Sequence, residues 1–299
     1  MIGRQRLIEI ADLLVGVDGV IGVVLGGSRA RGDHMPESDV DLGLYYRPPL
    51  DVAALGRLAR ELAGPDAEVT RPGQWGPWVD GGAWLTIDGT AVDWIYRDLD
   101  RVDGAWELAL LGRYSFHAQT GHPLGVPDFS YVGEVAHGVV LAERGDDLTR
   151  RKATFAEYPS ALSDALVAGL QEADFLLTIA GKAVHRADTA YVAGCLFRAL
   201  LLCAHALHGR AGRWLINEKG AVTGAGRLPN SPTGFAERAH GILGALGTDA
   251  GHLAAALDAA AELVADTERA CRVGGEEPRS PAPKDGGAAT GDDLDPPRS

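Results

Sequence analysis

The sequence predicts an α+β protein built from two parts that differ in pattern. In roughly the first 130 residues, short apolar segments bounded by glycine or proline turns alternate with amphipathic helical segments. From about residue 134, long alanine- and leucine-rich segments follow one another with helical periodicity. We therefore expect a sheet-containing domain with flanking helices at 1–130 and an α-helical bundle domain at 131–271. The Gly-, Pro- and Asp-rich residues 272–299 cannot bury enough apolar surface to fold and are expected to be disordered.

The N-terminal part predicts helices and strands in alternation. In the first helix, Leu7, Ile10 and Leu14 fall on one apolar stripe, and Asp51 is placed to cap the second helix. The apolar strands end at glycine or proline turns. In chain order, the predicted elements are a helix at 4–17, a strand at Val20–Leu25, a strand at Val40–Tyr46, a helix at 51–63 and a short strand at Ala67–Thr70.

A hairpin is predicted next, because Asp88-Gly89 separates two segments of alternating apolar residues. It joins a strand at Trp84–Ile87 to a strand at Thr90–Tyr96. On the second strand, Asp93 is flanked on both sides by apolar residues, so it is either a site carboxylate or an exposed residue on the solvent face. The elements expected after the hairpin are a helix at 97–111 and an extended segment at 115–125.

Aromatic residues and histidines surround the hairpin. Trp75 and Trp78 lie in a glycine-rich segment just before Trp84, where they form either a stacking surface for a ligand or a cover for one end of the core. His117 and His122 have no second metal-ligand spacing beside them. We therefore expect both histidines to be hydrogen-bonded structural residues.

The second half of the chain predicts a series of helices. They are expected near 134–144, 160–184, 188–208, 234–243 and 250–271. Cys195 and Cys203 are eight residues apart on one helix and are expected to pack as small apolar residues. A polar cluster at 213–220 interrupts the helices.

The densest chemical signal is the segment Val23–Tyr46, VVLGGSRARGDHMPESDVDLGLYY. Its glycine turn, Gly26-Gly27-Ser28, lets the backbone approach a ligand closely, and exposed N–H groups in such a turn suit a phosphate. Asp39 and Asp41 share one face of the second strand, with Cα atoms roughly 7 Å apart, so they can converge on one divalent cation or a close pair. A phosphate cradle facing an acidic metal site is what phosphoryl or nucleotidyl transfer requires.

Gly-Gly-Ser, ten residues, then Asp-hydrophobic-Asp-hydrophobic resembles the signature of the DNA polymerase β-type nucleotidyltransferase superfamily. The chain is most similar to the small-substrate branch, which includes the aminoglycoside and lincosamide nucleotidyltransferases. The resemblance implies a nucleotidyltransferase-type mixed β-sheet that carries the site, with a helical second domain beside it. It also implies a Mg²⁺-bound nucleoside triphosphate as donor and a third carboxylate on a later strand, where Asp93 lies. A homodimer with a shared cleft is compatible with the resemblance.

These observations define the predicted site and reaction. A nucleoside monophosphate, AMP from ATP in the first instance, passes from Mg–NTP to the hydroxyl of a small acceptor, and pyrophosphate is released. Asp93 either completes the metal site or accepts the proton of the hydroxyl. Lys219 either reaches the triphosphate as a point charge or is a surface lysine before a glycine cap. The catalytic and metal-binding residues are Asp39, Asp41 and Asp93, and the nucleotide contacts are Gly26, Gly27, Ser28 and Lys219, with Arg29 or Arg31 as charge partners.

Two alternatives remain open. One is a catalytically weak regulatory or antitoxin-like protein with the same fold, since related proteins work beside helical ribonuclease toxins that carry an Arg-x(4–6)-His motif. Arg198 and His205 loosely resemble that motif, although both lie in an apolar run where a core histidine is the better interpretation. The other alternative is an enzyme that transfers AMP to a protein.

The composition of the chain limits which kinds of partner are expected. The net charge of −13 disfavours DNA or RNA as the main partner and suits a cationic or neutral small acceptor, although acidic balance is also common among soluble proteins. No signal peptide and no apolar run approaching the ~20 residues of a membrane span are apparent, so no membrane partner is expected. The three cysteines show no metal-type spacing, and we predict a cytoplasmic protein.

Overall fold

The computed structural model describes residues 2–32 and 38–273, apart from the side chains of Arg31 and Val273. It has the predicted α+β architecture, with a mixed sheet followed by a helical region. The strands are β1 (Val20–Leu25), β2 (Val40–Tyr46), β3 (Gly82–Ile87), β4 (Thr90–Asp98), β5 (Phe116–Gln119), β6 (His122–Pro127) and β7 (Val139–Glu143). The helices are α1 (Arg4–Val15), α2 (Gly27–Arg31), α3 (Val52–Ala63), α4 (Leu99–Leu110), α5 (Ser130–His137), α6 (Asp147–Phe155), α7 (Ser160–Ala168), α8 (Leu170–Val184), α9 (Thr189–Arg210), α10 (Ala221–Ala225), α11 (Phe235–Gly244) and α12 (Ala250–Val273).

The main sheet has five strands in the order β3-β4-β2-β1-β7. Only the β2–β4 pair is parallel among the strand pairs in the described part of this sheet. The β3–β4 hairpin turns at Asp88 and Gly89, whose φ angles of 50° and 72° are both positive, as a type I′ turn requires. The predicted bounds of β1 and β2 and the predicted hairpin are confirmed.

The two faces of the sheet are covered by different layers. Val40, Leu42 and Leu44 of β2 are fully buried in a cluster with residues of α1 and α3. Tyr45 points to the opposite face, where it packs with residues of α4, α5 and the Trp214 segment. Because side chains alternate along a strand, Asp41 belongs to the same face as Tyr45. Asp41 therefore lies on the sheet face that α4, α5 and the Trp214 segment cover.

The helical half packs around α9, a long apolar helix. Its mean hydropathy of 1.7 and its length of 22 residues would allow a membrane span, but 67% of the apolar window is buried inside the protein. This helix is therefore buried in the way that the core helix of a globular protein is. The expectation that no apolar segment approaches the length of a membrane span is wrong. Cys195, Cys203 and Cys271 are free and buried, as expected for cysteines that pack as apolar residues.

Several predicted elements are wrong or have shifted bounds. The helix expected near 134–144 ends at His137, and Val139–Glu143 instead forms β7, which pairs with β1 and extends the sheet beyond residue 130. The segment 67–70 is not a strand, although the Thr70 N–H donates to the carbonyl of Gly82 at 2.8 Å. The helix expected at 160–184 divides at Gly169 into α7 and α8, and α6 and α10 were not predicted. The division into domains at 130/131 stays a prediction, and residues 274–299 of the expected tail lie outside the described residues.

The helix expected from Arg97 begins at Leu99 instead, because β4 continues to Asp98. The side chain of Asp98 caps α4 by accepting the N–H of Asp100 at 2.9 Å. The strand therefore carries Arg97, two residues further along the same face than Ile95 and four further than Asp93.

Candidate active site

The glycine turn lies directly against the first strand carboxylate. β1 ends at Leu25, and the Gly26 N–H donates to the backbone carbonyl of Asp41 at 2.8 Å. Gly27 has a φ of 60°, and a Cβ placed on it would lie only 1.8 Å from Asp41 Oδ2. The backbone angle therefore favours glycine at position 27, and a Cβ there would force the Asp41 carboxylate to shift. The turn and the Asp41 carboxylate form one surface.

The second carboxylate lies opposite the first. Asp41 and Asp93 are register partners in the parallel β2–β4 pair. Burial, and then repulsion from Asp41 and Asp39, raises the pKa of Asp93 to about 6. Negative charges concentrated in this way on hard oxygen atoms suit a divalent cation such as Mg²⁺.

Asp39 lies outside the sheet, unlike the other two aspartates. It is exposed and precedes β2 by one residue, although it is close enough to raise the pKa of Asp93. Arg29 donates from Nε to the backbone carbonyl of Asp39 at 3.1 Å, and from Nη2 to that of Ser38 at 2.7 Å. Within 2–32 and 38–273, no three His, Cys, Asp or Glu side chains are drawn together as a metal centre. The structure thus aligns Asp41 with Asp93 and leaves Asp39 at their margin.

A cleft of about 800 Å³ opens beside this surface. Its lining includes Gly26, Gly27, Ser28 and Asp41 on one side and Lys219 in the segment before α10 on another. Lys219 is exposed, and its backbone N–H donates to Asn217 Oδ1 at 2.9 Å. The predicted nucleotide contacts therefore border one cleft, except for Arg31, whose side chain lies outside the described residues.

Residues 5–70 match the family model of the nucleotidyltransferase domain. Residues 5–70 of this chain are therefore similar to a nucleotidyltransferase domain. The matched residues contain the glycine turn, Asp39 and Asp41, whereas Asp93 lies beyond them. The match confirms the resemblance to the superfamily, and it does not assign the chain to the small-substrate branch.

The whole chain was also compared with solved structures and with curated proteins. It is similar to a nucleotidyltransferase-like protein from Exiguobacterium sibiricum 255-15, with 13% sequence identity and a TM-score of 0.45. That similarity covers 91% of this chain and 77% of the other. No curated protein gives a significant match to the sequence.

The far wall of the cleft holds a buried ion pair that was not predicted. Arg97 Nη2 donates to Glu134 Oε1 at 2.8 Å, and the Arg97 side chain is only 7% exposed. Burial alone would lower the pKa of Arg97, but the charge and hydrogen bonds of Glu134 outweigh burial and raise it. The Arg97 guanidinium also lies 4.9 Å from the centroid of the Tyr131 ring. In the sequence, Arg97 follows the apolar strand residues Trp94–Tyr96, which is a signal for a buried charge although it does not identify the partner.

The three tryptophans around the β3–β4 hairpin occupy two separate places. Trp78 lines the cleft and stacks on His117 with ring centroids 4.0 Å apart. Trp84 is a register partner of Asp93, so it lies on the carboxylate face of the edge strand β3. It stacks on Trp75 at 4.2 Å with an interplanar angle of 14°.

His117 and His122 each lie near a carboxylate, and His205 is buried among aromatic rings. His117 Nε2 lies 3.6 Å from Asp128 Oδ2, and His122 Nδ1 lies 3.0 Å from Glu218 Oε2. His205 is buried between Phe116 and Phe129, whereas Arg198 forms an ion pair with Glu172. The structure therefore does not place Arg198 and His205 in a shared exposed site, and the ribonuclease-toxin comparison has no support from it.

Proposed function

We propose that the chain is a metal-dependent nucleotidyltransferase. It moves a nucleoside monophosphate, AMP in the first instance, from Mg–NTP to a hydroxyl of a small acceptor and releases pyrophosphate. The observation that carries the proposal is the alignment of Asp41 with Asp93 beside a glycine turn that contacts the Asp41 carboxylate. The domain match supports nucleotidyl transfer in general.

The residues of the cleft suit a triphosphate. Gly27 and Ser28 line the cleft, where the Gly27 N–H and the Ser28 hydroxyl would bind the terminal phosphates, and Lys219 supplies a positive charge on the same cleft. Asp39, Asp41 and Asp93 are the carboxylates that would hold Mg²⁺. When bound, the cation neutralises charge that builds up on the leaving pyrophosphate.

Asp93 has two roles open to it in the proposed reaction. As a carboxylate in register with Asp41, it can complete the cation site. Because its pKa is raised to about 6, it can also accept the proton of the acceptor hydroxyl near neutral pH. In either role it lies on the side of Asp41 away from β1, so the acceptor hydroxyl approaches from the direction of β4 and β3.

The acceptor is proposed to be small and not anionic. A cleft of about 800 Å³ falls within the range of small-molecule and cofactor sites. The net charge of −13 and the carboxylates of the site would repel an anionic acceptor. We place the reaction in the cytoplasm, consistent with the buried apolar helix and free cysteines.

A pyrophosphate-release assay across a panel of hydroxyl-bearing small molecules tests this proposal. Aminoglycosides and lincosamides come first, because the sequence resembles enzymes that act on them. We expect release that requires an acceptor, an NTP and Mg²⁺, and that is lost in Asp41→Asn. Asp88→Asn is the matched control, since Asp88 is a turn residue. Full activity in Asp41→Asn, or release that ignores Mg²⁺, would contradict the proposal.

A further inference from the structure

A row of residues crosses the sheet from the glycine turn to the edge strand. Gly26 is hydrogen-bonded to Asp41, Asp41 is in register with Asp93, and Asp93 is in register with Trp84. Neighbouring strands lie about 4.8 Å apart, so the Trp84 backbone is one strand from Asp93 and two from Asp41. In the proposed reaction the triphosphate occupies the Gly26 end of this row, so the other end faces the acceptor.

Trp84 is exposed on the carboxylate face of the sheet, opposite the face on which its neighbours are buried. Its neighbours Ala83 and Leu85 are 2% and 5% exposed, whereas Trp84 is 70% exposed. An indole is a large apolar surface, and burying it would ordinarily stabilise the fold. An exposed tryptophan beside a half-buried carboxylate is therefore a candidate for ligand contact.

The exposed indole is also held in a fixed position. It stacks on Trp75, and Gln119 fixes the Trp75 loop by donating from Nε2 to the Trp75 carbonyl at 2.7 Å. Gln119 Oε1 accepts the N–H groups of Trp78 at 3.1 Å and Val79 at 3.0 Å. A stacking surface that is already ordered loses little conformational entropy when a ligand binds.

We propose that Trp84, backed by Trp75, is the acceptor-binding platform of this enzyme. It stacks on an uncharged or cationic ring of the acceptor and thereby positions a neighbouring hydroxyl at Asp93. This inference rests on the proposed nucleotidyl transfer and adds the class of acceptor, a ring-bearing hydroxyl compound without negative charge. An anionic ring is disfavoured because Asp93, Asp41 and Asp39 lie on the same side of the sheet.

Isothermal titration with phenyl β-glucoside, methyl β-glucoside and phenyl phosphate tests the platform without requiring turnover. We expect wild-type protein to bind phenyl β-glucoside more tightly than the other two probes. Trp84→Ala should weaken that binding about tenfold, and Trp84→Phe should restore most of it, as expected for loss and partial return of a stacking contact. Leu111→Ala is the control, because Leu111 is 67% exposed far along the chain from the row.

Each other result overturns the platform. Wild-type protein that does not bind phenyl β-glucoside, or Trp84→Ala that binds it unchanged, removes the acceptor role. Sedimentation that finds a dimer in wild-type protein and a monomer in Trp84→Ala would assign the indole to a protein interface instead. A separate titration with Mg–ATP keeps the two proposals apart. If wild-type protein does not bind Mg–ATP, the proposed nucleotidyl transfer is contradicted. The comparison of the three probes tests only the role of Trp84 in acceptor binding.

Discussion

Gly27 and Asp41 are in direct contact: a Cβ on Gly27 would lie 1.8 Å from Asp41 Oδ2. A methyl group at position 27 would therefore displace the Asp41 carboxylate. The contact joins the proposed phosphate-binding surface to the proposed cation-binding surface. Because glycine has no side chain, the turn at Gly27 can lie against the Asp41 carboxylate.

Gly27→Ala should damage nucleotide binding more than it damages the fold. Alanine at a φ of 60° costs about 1–2 kcal/mol of stability, and its methyl group would also displace the Asp41 carboxylate. Gly32→Ala is the matched control, because Gly32 has a φ of 77° and a Cβ on it would have no atom of residues 2–32 or 38–273 within 4 Å beyond its chain neighbours. We expect similar losses of stability in the two variants, measured by urea unfolding, and an affinity for Mg–ATP at least about tenfold weaker only in Gly27→Ala. Equal Mg–ATP affinities in the two variants would contradict a functional contact.

Asp93→Asn should stabilise the metal-free protein at neutral pH. Burial and the neighbouring aspartates raise the pKa of Asp93 to about 6, so the folded state binds its proton more tightly than the unfolded state does. Stability therefore falls as pH rises from the ordinary aspartate pKa to about 6, and it stays reduced above that pH. In EDTA at about pH 7.5, the variant should be about 1 kcal/mol more stable than wild type, because Asp93 is half-buried and partly screened.

The difference between Asp93→Asn and wild type should shrink as the pH falls from about 6 through the ordinary aspartate pKa of about 4, below which Asp93 is protonated in both the folded and the unfolded state. Urea unfolding at several pH values measures this. Asp88→Asn, at the exposed hairpin turn, should show no comparable gain. A difference that does not vary with pH would mean that charge repulsion at Asp93 is not the cause.

The Arg97–Glu134 pair should be costly to break from one side. Arg97→Met leaves the partly buried Glu134 carboxylate without its guanidinium, so we expect a loss of about 2–4 kcal/mol in the free energy of unfolding. Arg97→Met combined with Glu134→Gln should recover part of that loss, because the remaining group is then neutral. A double-mutant cycle by chemical denaturation measures the coupling, and additive effects would contradict a coupled pair.

His205 should make the fold sensitive to acid. Burial, with a smaller effect of His208, lowers the pKa of His205 to about 3, so the unfolded state binds a proton that the folded state does not. Stability is therefore retained above the ordinary histidine pKa and lost as pH falls toward 3. At about pH 5 this amounts to about 2 kcal/mol relative to neutral pH.

His205→Leu should lose less stability than wild type between about pH 7 and pH 5. Its Nδ1 is buried without a hydrogen-bond partner, so the substitution removes no hydrogen bond from that atom. His185→Gln is the control, since His185 is exposed. Equal acid sensitivity in wild type and His205→Leu, measured by urea unfolding, would contradict this assignment.

The sheet face could be predicted because its determinants are local. The apolar runs predict β1 and β2, and the Asp-Gly turn predicts the hairpin. Strand alternation then places Asp41 and Asp93 on the strand faces opposite their apolar neighbours. The parallel pairing that aligns these two aspartates is not local, and the family resemblance implies only a mixed sheet with a third carboxylate on a later strand.

The remaining parts of the site depend on contacts between distant residues. The sequence predicts a helix where β7 lies, because Val139–Glu143 is a short apolar segment whose period does not distinguish a helix from a strand. Arg97 and Glu134 are 37 residues apart, and nothing in the local pattern pairs them. The exposure of Trp84 likewise follows from the position of β3 at the edge of the sheet.

Titration of ATP with and without Mg²⁺ tests the central claim most directly. The account predicts that wild-type protein binds ATP at least about tenfold more tightly in Mg²⁺ than in EDTA, because the aspartates hold the cation that meets the phosphates. Asp41→Asn should abolish that difference, and Asp88→Asn should retain it. Equal ATP affinity in Mg²⁺ and EDTA for the wild-type protein, or an undiminished Mg²⁺ effect in Asp41→Asn, would contradict the account.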